Sequence, residues 1–208
     1  MAKLGIFDLE KHFAFYGAYH SNPINIFIHM MFVWPVFFTA LVLLCFTPSL
    51  FNSAKSVTCP CGNSCVLGLN LGFFVTLIYA AFYVLMDKKA GSLAALACLL
   101  CWVGSSILAS FLASKLGFSL AWKVFCWTGQ FIGHGVYEKR APALLDNLVQ
   151  PFIMAPFFVL LEASSSNPSE VEDGFIGYEP YPGFRTSVTA KIEAERKAWQ
   201  DKKNKKAA

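Results

Sequence analysis

Long apolar stretches separated by short polar ones dominate the first 162 residues of this chain. A helix needs about 20 mostly apolar residues to cross the hydrocarbon core of a membrane. Four runs meet this requirement, at 24–46, 66–86, 90–113 and 118–136, whereas a fifth at 148–161 is shorter and contains two prolines. The first run lacks the charged start and cleavage site of a signal peptide. The pattern therefore predicts an all-α fold, a polytopic membrane helix bundle of about four transmembrane spans plus one re-entrant or interfacial helix.

The composition supports an integral membrane protein. Of 208 residues, 56% are hydrophobic and only 14% are charged, which is far from the balance of an ordinary soluble domain. After Glu162 the composition becomes polar and Lys-rich. We therefore expect a membrane-embedded domain over residues 1–162 and a polar cytosolic tail over 163–208. We interpret the tail as a solvated, frayed terminus, with a short charged helix in its central part as the alternative.

The positions of Lys and Arg in short loops predict the orientation. With a cytosolic N-terminus, the opposite side of the membrane receives only Lys55 and Lys115. The cytosolic side collects six basic residues before the tail: Lys3, Lys11, Lys88, Lys89, Lys139 and Arg140. An even number of crossings then keeps the tail cytosolic, which favours a re-entrant or interfacial segment at 148–161. The last four residues resemble a dilysine retrieval signal, which predicts the endoplasmic reticulum membrane.

The cysteines give a weaker indication. Cys59, Cys61 and Cys65 lie in the first loop, which this topology places in the lumen, where a disulfide persists. No fourth ligand stands nearby, so a disulfide or free thiols are favoured over zinc, and the pairing stays open. The remaining four, Cys45, Cys98, Cys101 and Cys126, lie in apolar runs and are interpreted as small core residues.

Three of the four histidines are predicted to converge. Asn22 and Pro23 resemble a helix N-cap followed by proline at the first helical position. His20 stands just before this start, His29 about two turns into the first span, and His134 at the end of the fourth span. With a cytosolic N-terminus, the first span begins and the fourth ends on the same membrane face. All three therefore lie at one depth. His12 has helical spacing to His20 and remains an open possibility.

A carboxylate follows His134. On a continuing α-helix Glu138 projects from the same face, about 5–6 Å away. One interpretation is an interfacial His–Glu pair with Lys139 and Arg140 anchoring the helix at the headgroups. The other is a metal centre, since histidines with one carboxylate and open positions suit non-haem iron(II). Asn25 and Gln130 are candidates for holding the rings, or for hydrogen bonds between helices.

Two segments of the sequence resemble a known family, the membrane 2-hydroxy-fatty-acid dioxygenases of α-oxidation and phytosphingosine breakdown. The first is FYGAYHSNPINIFIHMMFVWP at 15–35, and the second is WTGQFIGHGVYEKRAPALLDNLVQPFIMAPFFVLLE at 127–162. Roughly residues 8–162 look alignable with the family. The 47–66 loop and the tail beyond 163 are not part of its pattern.

The resemblance implies an Fe2+-dependent enzyme that shortens long-chain 2-hydroxy fatty acids by one carbon, with molecular oxygen and release of CO2. It assigns His20, His29 and His134 as iron ligands, with Glu138 as a fourth ligand or as the base that deprotonates the substrate hydroxyl. Lys139 or, better, Arg140 holds the substrate carboxylate. Membrane lipid is the expected surrounding, and nucleic acid is not an expected partner.

Other functions are weighed against this one. Membrane di-iron hydroxylases and desaturases resemble one another in using about eight histidines, and this chain has four. A haem protein with axial His29 and His134 would show a Soret band. A non-enzymatic transporter or scaffold would use the His–Glu pair to relay protons or to fix helix packing. Iron content discriminates between the enzyme and the scaffold. Acyl-chain length and oligomeric state are not encoded in recognisable motifs.

Overall fold

The computed structural model describes residues 5–50, 55–58, 64–112, 116–139, 141, 150–163 and 179–207. Their main elements are seven α-helices and one β-hairpin. The helices are α1 (Leu9–Tyr19), α2 (Pro23–Cys45), α3 (Leu71–Met86), α4 (Lys88–Phe111), α5 (Leu116–Ile132), α6 (Ala155–Ala163) and α7 (Phe184–Ala207). A 3₁₀ turn, Gly5–Phe7, precedes α1, and two π-helical segments, Gly133–Glu138 and Gln150–Met154, follow α5 and precede α6.

The helical prediction holds in outline, with two differences. The antiparallel hairpin β1 (Lys55–Thr58) and β2 (Ser64–Leu67) was not part of the all-α prediction. Strand β2 also takes the beginning of the predicted 66–86 run, so that α3 starts at Leu71 behind the N-cap Asn70, whose side chain accepts a hydrogen bond from the Phe73 N–H. Asn competes well for this cap position because its side chain satisfies an N–H that the first helical turn leaves open.

Among the described residues, two helices are long and apolar enough to cross a membrane, α2 with 23 residues and α4 with 24. Helix α3, with 16 residues, is apolar but shorter, and α5 has 17 residues. The fifth apolar run forms the π-helical segment at Gln150–Met154 and the short helix α6. The structure therefore supports membrane association, and the count of four crossings stays a prediction.

The described chain divides into two compact units, residues 31–129 and residues 1–30 with 130–208. In the first unit α3 and α4 are antiparallel neighbours joined at Asp87, which caps α4 by accepting a hydrogen bond from the Ala90 N–H. A side chain at Gly91 would lie 2.0 Å from the Tyr83 carbonyl oxygen, so this tight connection requires glycine. The 1–162 and 163–208 division differs from these units and stays a prediction.

The tail is not frayed where the structure describes it. Helix α7 packs against α1 through Phe184, Val188 and Ile192, which are buried and spaced four residues apart. At the surface of this contact, the Glu10 carboxylate accepts hydrogen bonds from Tyr181 Oη and Lys191 Nζ, each at 2.6 Å, and from Ser187 Oγ. The expectation of a frayed terminus is therefore wrong for this segment, and the charged helix offered as the alternative forms but is longer than expected, with 24 residues that are mostly exposed after Ile192.

Candidate metal centre

Three buried histidines meet inside the unit formed by residues 1–30 and 130–208. His20 follows the last residue of α1, His29 lies in the second turn of α2, and His134 lies in the π-helix Gly133–Glu138. Their ring centroids are 4.4, 4.8 and 4.9 Å apart, and each pair of rings is edge-to-face. One nitrogen from each ring lies within 4.8 Å of the others. This arrangement has the size of a three-histidine metal site.

Two of the rings are oriented by backbone carbonyls. The Nδ1 atom of His20 lies 2.9 Å from the Tyr16 carbonyl oxygen, and that of His29 lies 3.0 Å from the Asn25 carbonyl oxygen. A carbonyl oxygen only accepts hydrogen bonds, so each Nδ1 carries the proton and each Nε2 keeps its lone pair. Metal-ligating histidines are held in this way in most metalloproteins. The donor set therefore fits a divalent transition metal such as iron, although the geometry does not select iron over its neighbours.

The turn between His20 and His29 forms as the sequence predicts. Helix α2 begins at Pro23, and Asn22 Oδ1 accepts a hydrogen bond from the Ile24 N–H at 2.9 Å. This cap satisfies one of the N–H groups that the first turn of a helix leaves open. The start of α2 is thereby fixed, and with it the position of His29 relative to His20.

Glu138 faces this turn. Its carboxylate accepts hydrogen bonds from the Ser21 N–H and Oγ, from the Asn22 N–H and from Asn25 Nδ2. The Ser21 Oγ and Asn22 N distances are both 3.0 Å, and the Asn25 Nδ2 distance is 3.5 Å. A negative charge at the N-terminus of α2 is also favoured by the helix dipole. Glu138 lies outside the group of three metal-binding nitrogens, and its role as a ligand or base stays a prediction.

The segment that carries His134 differs from the predicted continuing α-helix. Helix α5 ends at Ile132, and Gly133–Glu138 forms a π-helix. The Lys139 N–H closes it by donating to the His134 carbonyl, five residues back, in a left-handed conformation at φ 52°. Helix α5 therefore does not continue as an α-helix from His134 to Glu138, as the sequence interpretation assumed. Within this segment His134 meets the other two histidines, and the Glu138 carboxylate meets the Ser21–Asn25 turn. Such π-helical turns occur frequently at functional sites.

The two glycines beside His134 have different surroundings. A Cβ atom at Gly133 would lie 2.3 Å from Asn25 Oδ1 and 3.5 Å from Ile28 Cδ1, whereas one at Gly135 would meet nothing within 4 Å. Gly133 thus permits the fully buried Asn25 side chain to touch the backbone beside His134. A close approach to the backbone therefore occurs at Gly133 and not at Gly135.

The remaining predicted site residues lie at or beyond the edge of this group. Gln130 is half-buried in the last turn of α5, and within the described residues it makes no hydrogen bond to a histidine. Lys139 is exposed, and Arg140 lies outside the described residues. His12 is half-buried on α1 and does not belong to the group of three nitrogens.

The sequence interpretation assigned no role to two residues next to the site, Tyr16 and Glu162. The Tyr16 ring stacks on the His20 ring, with centroids 4.1 Å apart, and its hydroxyl donates to Glu162. A signal was present in both cases: Tyr16 precedes His20 by four residues on a helix, and Glu162 is the first charged residue after the 148–161 apolar run.

Comparison with known proteins yields a family. Residues 6–166 match the family model described as 2-hydroxy-palmitic acid dioxygenase Mpo1-like. The chain is also 31% identical over 158 residues to the 2-hydroxy-palmitic acid dioxygenase MPO1 of Saccharomyces cerevisiae, a match that covers 76% of this chain and 80% of the yeast protein. No solved structure shows significant similarity to the chain. The matched region contains all three clustered histidines and excludes helix α7. This chain belongs to the Mpo1-like family of 2-hydroxy-palmitic acid dioxygenases.

Proposed function

We propose that this protein is an iron(II)-dependent dioxygenase that converts long-chain 2-hydroxy fatty acids into fatty acids one carbon shorter. The observation that carries the proposal is the group of three buried histidines with nitrogens within 4.8 Å of one another. Membership of the Mpo1-like family supports dioxygenase chemistry at this site. The name of the yeast relative, 2-hydroxy-palmitic acid dioxygenase, supports a 2-hydroxy fatty acid as the substrate.

The proposed reaction balances without a further reductant: R-CH(OH)-COOH + O₂ → R-COOH + CO₂ + H₂O. The substrate itself supplies all four electrons that reduce O₂, so 2-oxoglutarate is not required. Iron, when bound, would supply the activation of O₂ and bind the hydroxyl and carboxylate oxygens of the substrate. The protein has to hold the metal, orient the substrate and keep the hydroxyl close to a proton acceptor.

We assign these tasks to separate residues. His20, His29 and His134 hold the metal through the nitrogens that their backbone hydrogen bonds leave available. Glu138 holds the Ser21–Asn25 turn, because both of its oxygens already accept hydrogen bonds there. Oε2 accepts the Ser21 Oγ hydrogen bond and keeps a second lone pair, through which we propose that Glu138 serves as ligand or base.

The substrate carboxylate is assigned to the cationic end of the same segment. Lys139 is exposed directly after the π-helix, and Arg140, which follows it, offers a planar guanidinium that pairs with a carboxylate through two hydrogen bonds. Either cation lies within a few residues of His134 along the chain. We propose that they guide the carboxylate toward the metal, with Arg140 as the stronger candidate.

Exposed apolar side chains precede and follow His134 in the sequence. Phe131, Ile132 and Val136 are 48%, 49% and 57% exposed, which is costly in water and suits contact with lipid or an acyl chain. We propose that the substrate chain reaches the site from the bilayer. The same setting leads us to propose four crossings of the endoplasmic reticulum membrane, with 148–161 as a re-entrant or interfacial helix and both termini cytosolic. Protease protection of a C-terminal tag tests this topology.

A labelled substrate tests the reaction. Purified protein, reconstituted with Fe²⁺ in mild detergent, is given 2-hydroxypalmitic acid carrying ¹³C at the carboxyl carbon. We expect one ¹³CO₂ and one unlabelled, one-carbon-shorter acid for each O₂ consumed, without 2-oxoglutarate. Product that retains the label, or turnover that requires 2-oxoglutarate, contradicts the proposed reaction.

A further inference from the structure

Two buried side chains next to His20, the phenol of Tyr16 and the carboxyl of Glu162, form a hydrogen-bonded pair. Tyr16 Oη donates a hydrogen bond to Glu162 Oε2 at 3.1 Å, across 146 positions of sequence, and joins α1 to α6. Tyr16 is 6% exposed and Glu162 is 9% exposed. Neither residue belongs to the metal-binding group, and the proposed reaction assigns them no task.

The surroundings of this pair are apolar. The Phe158 ring lies 4.9 Å from the Tyr16 ring and 4.6 Å from the Phe13 ring, and Phe157, Phe158 and Phe13 are fully buried. Glu162 Oε1 makes no hydrogen bond within the described residues. Burial raises the pKa of Glu162 to about 8, against a smaller lowering by the Tyr16 hydrogen bond, so that the carboxyl is mostly protonated at neutral pH. Burying a polar group among apolar side chains costs free energy unless its hydrogen bonds are made, and here only one of the two Glu162 oxygens has a hydrogen bond within the described residues.

Tyr16 fixes His20 in two ways. Its ring stacks on the imidazole at 4.1 Å between centroids and 20° between planes. Its backbone carbonyl accepts the hydrogen bond from His20 Nδ1 at 2.9 Å. The stacking sets the plane of the imidazole, and the hydrogen bond sets its rotation within that plane. The Glu162 contact in turn ties the far end of the Tyr16 side chain to α6.

We propose that Tyr16 and Glu162 are positioning residues that hold the His20 imidazole in the orientation required for metal binding. This inference rests on the proposed metal centre. The pair acts only through His20: Glu162 anchors the Tyr16 hydroxyl, and the Tyr16 ring supports the imidazole. Residues that orient a metal ligand in this way change metal affinity by about 10-fold to 100-fold when they are removed.

Cobalt(II) provides a probe that is independent of turnover, because its visible absorption reports the number and geometry of its ligands. The experiment titrates Co²⁺ into the metal-free full chain in mild detergent, for the wild type and for Tyr16→Phe, Glu162→Leu and Glu162→Gln. Tyr16→Phe keeps the ring and removes only the hydroxyl. Glu162→Gln keeps a neutral side chain of the same shape with a carbonyl that accepts the Tyr16 hydrogen bond.

We expect Tyr16→Phe and Glu162→Leu to weaken Co²⁺ binding by about 10-fold or more and to alter the visible spectrum. Glu162→Gln should bind Co²⁺ within about 3-fold of the wild type, because it preserves the hydrogen bond. Leu41→Ala, a cavity at a fully buried position in the other compact unit, controls for stability: it should lower the melting temperature and leave the Co²⁺ affinity and spectrum unchanged.

The outcomes distinguish the positioning role of Tyr16 and Glu162 from the metal centre itself. Wild-type affinity and spectrum in both Tyr16→Phe and Glu162→Leu overturn the positioning role while leaving the metal centre intact. Equal losses in Glu162→Gln and Glu162→Leu also overturn it, because the retained hydrogen bond would then be irrelevant. Failure of the wild type to bind Co²⁺ overturns the metal centre itself. If Glu162→Leu does not fold, Tyr16→Phe and Glu162→Gln decide the question.

Discussion

The two glycines that flank His134 provide a matched pair of substitutions. Gly133→Ala places a methyl group 2.3 Å from Asn25 Oδ1, which is 1.1 Å short of the 3.4 Å at which ordinary contact begins. Asn25 is 0% exposed, so its amide has no open space into which it can swing. Gly135→Ala adds the same methyl group where nothing lies within 4 Å. The two variants therefore add the same methyl group and differ mainly in whether it overlaps a neighbouring side chain.

The expected free energies follow from these contacts. Relieving the overlap at Gly133 requires an off-rotamer Asn25 or a shift of backbone, which costs about 1–3 kcal/mol. Both variants gain up to about 1 kcal/mol from replacing glycine within a helix. We expect Gly133→Ala to lower the free energy of unfolding by about 1–2 kcal/mol and Gly135→Ala to leave it unchanged or raise it by up to about 1 kcal/mol.

Thermal unfolding of the metal-free protein in mild detergent, followed by circular dichroism, measures this difference. For a chain of this length about 1 kcal/mol corresponds to about 2–4 °C, so Gly133→Ala should melt roughly 5 °C below Gly135→Ala. Gly133→Ala should also bind metal more weakly, since Asn25 supplies the carbonyl that orients His29. Equal melting temperatures, or a lower one for Gly135→Ala, would refute the close approach of Asn25 to Gly133.

Three further predictions concern groups around the site and the tail. Glu138→Ala should destabilise the metal-free protein by about 1 kcal/mol in thermal unfolding, because it leaves half-buried donors of the Ser21–Asn25 turn without their acceptor; unchanged metal-free stability would instead favour a role confined to metal binding. Hydrogen bonds from Lys191, Ser187 and Tyr181 lower the pKa of Glu10 to about 2, so the docking of α7 on α1 is stabilised above about pH 4.5 and weakens as pH falls toward 2. The protection of α7 amides from hydrogen exchange, corrected for the intrinsic exchange rate at each pH, should fall over this range in the wild type. Protection that stays constant over the range would contradict the prediction. Lys139→Gly should raise the melting temperature by relieving about 1 kcal/mol of left-handed strain, and a lower melting temperature would show that the lysine side chain stabilises the fold.

The parts of the site that local rules govern are predictable from sequence. Asn22 and Pro23 define the start of α2 by capping and by the fixed φ of proline, and the structure confirms that start. His29 then falls in the second turn of the helix without further information. The convergence of His20, His29 and His134 was inferred from topology, and the structure brings the three rings together.

The π-helix at Gly133–Glu138 was not predictable by the same rules. Spacing arguments assume 3.6 residues per turn, and they do not identify the Ser21–Asn25 turn as the partner of Glu138. The Glu138 carboxylate accepts its hydrogen bonds from that turn. Two glycines in this segment weaken its α-helical preference, but glycine content alone does not indicate where a carboxylate finds its hydrogen-bond donors.

Tertiary contacts account for the other differences. Phe184, Val188 and Ile192 have helical spacing, but a charged tail made a solvated terminus the simpler interpretation. Their burial depends on α1, which lies far away in sequence. The Tyr16–Glu162 hydrogen bond spans 146 positions in the same way. Such pairs become visible only when the helices that carry them are placed.

Iron stoichiometry in the purified protein tests the central claim most directly. The wild type and the single variants His20→Ala, His29→Ala, His134→Ala and His12→Ala are purified anaerobically, loaded with Fe²⁺, freed of excess metal and analysed for iron per chain. The three-histidine centre predicts about one iron in the wild type and in His12→Ala, whose histidine lies outside the group, and loss of iron in the other three. Iron retained by His134→Ala, or a wild type that binds none, would contradict it.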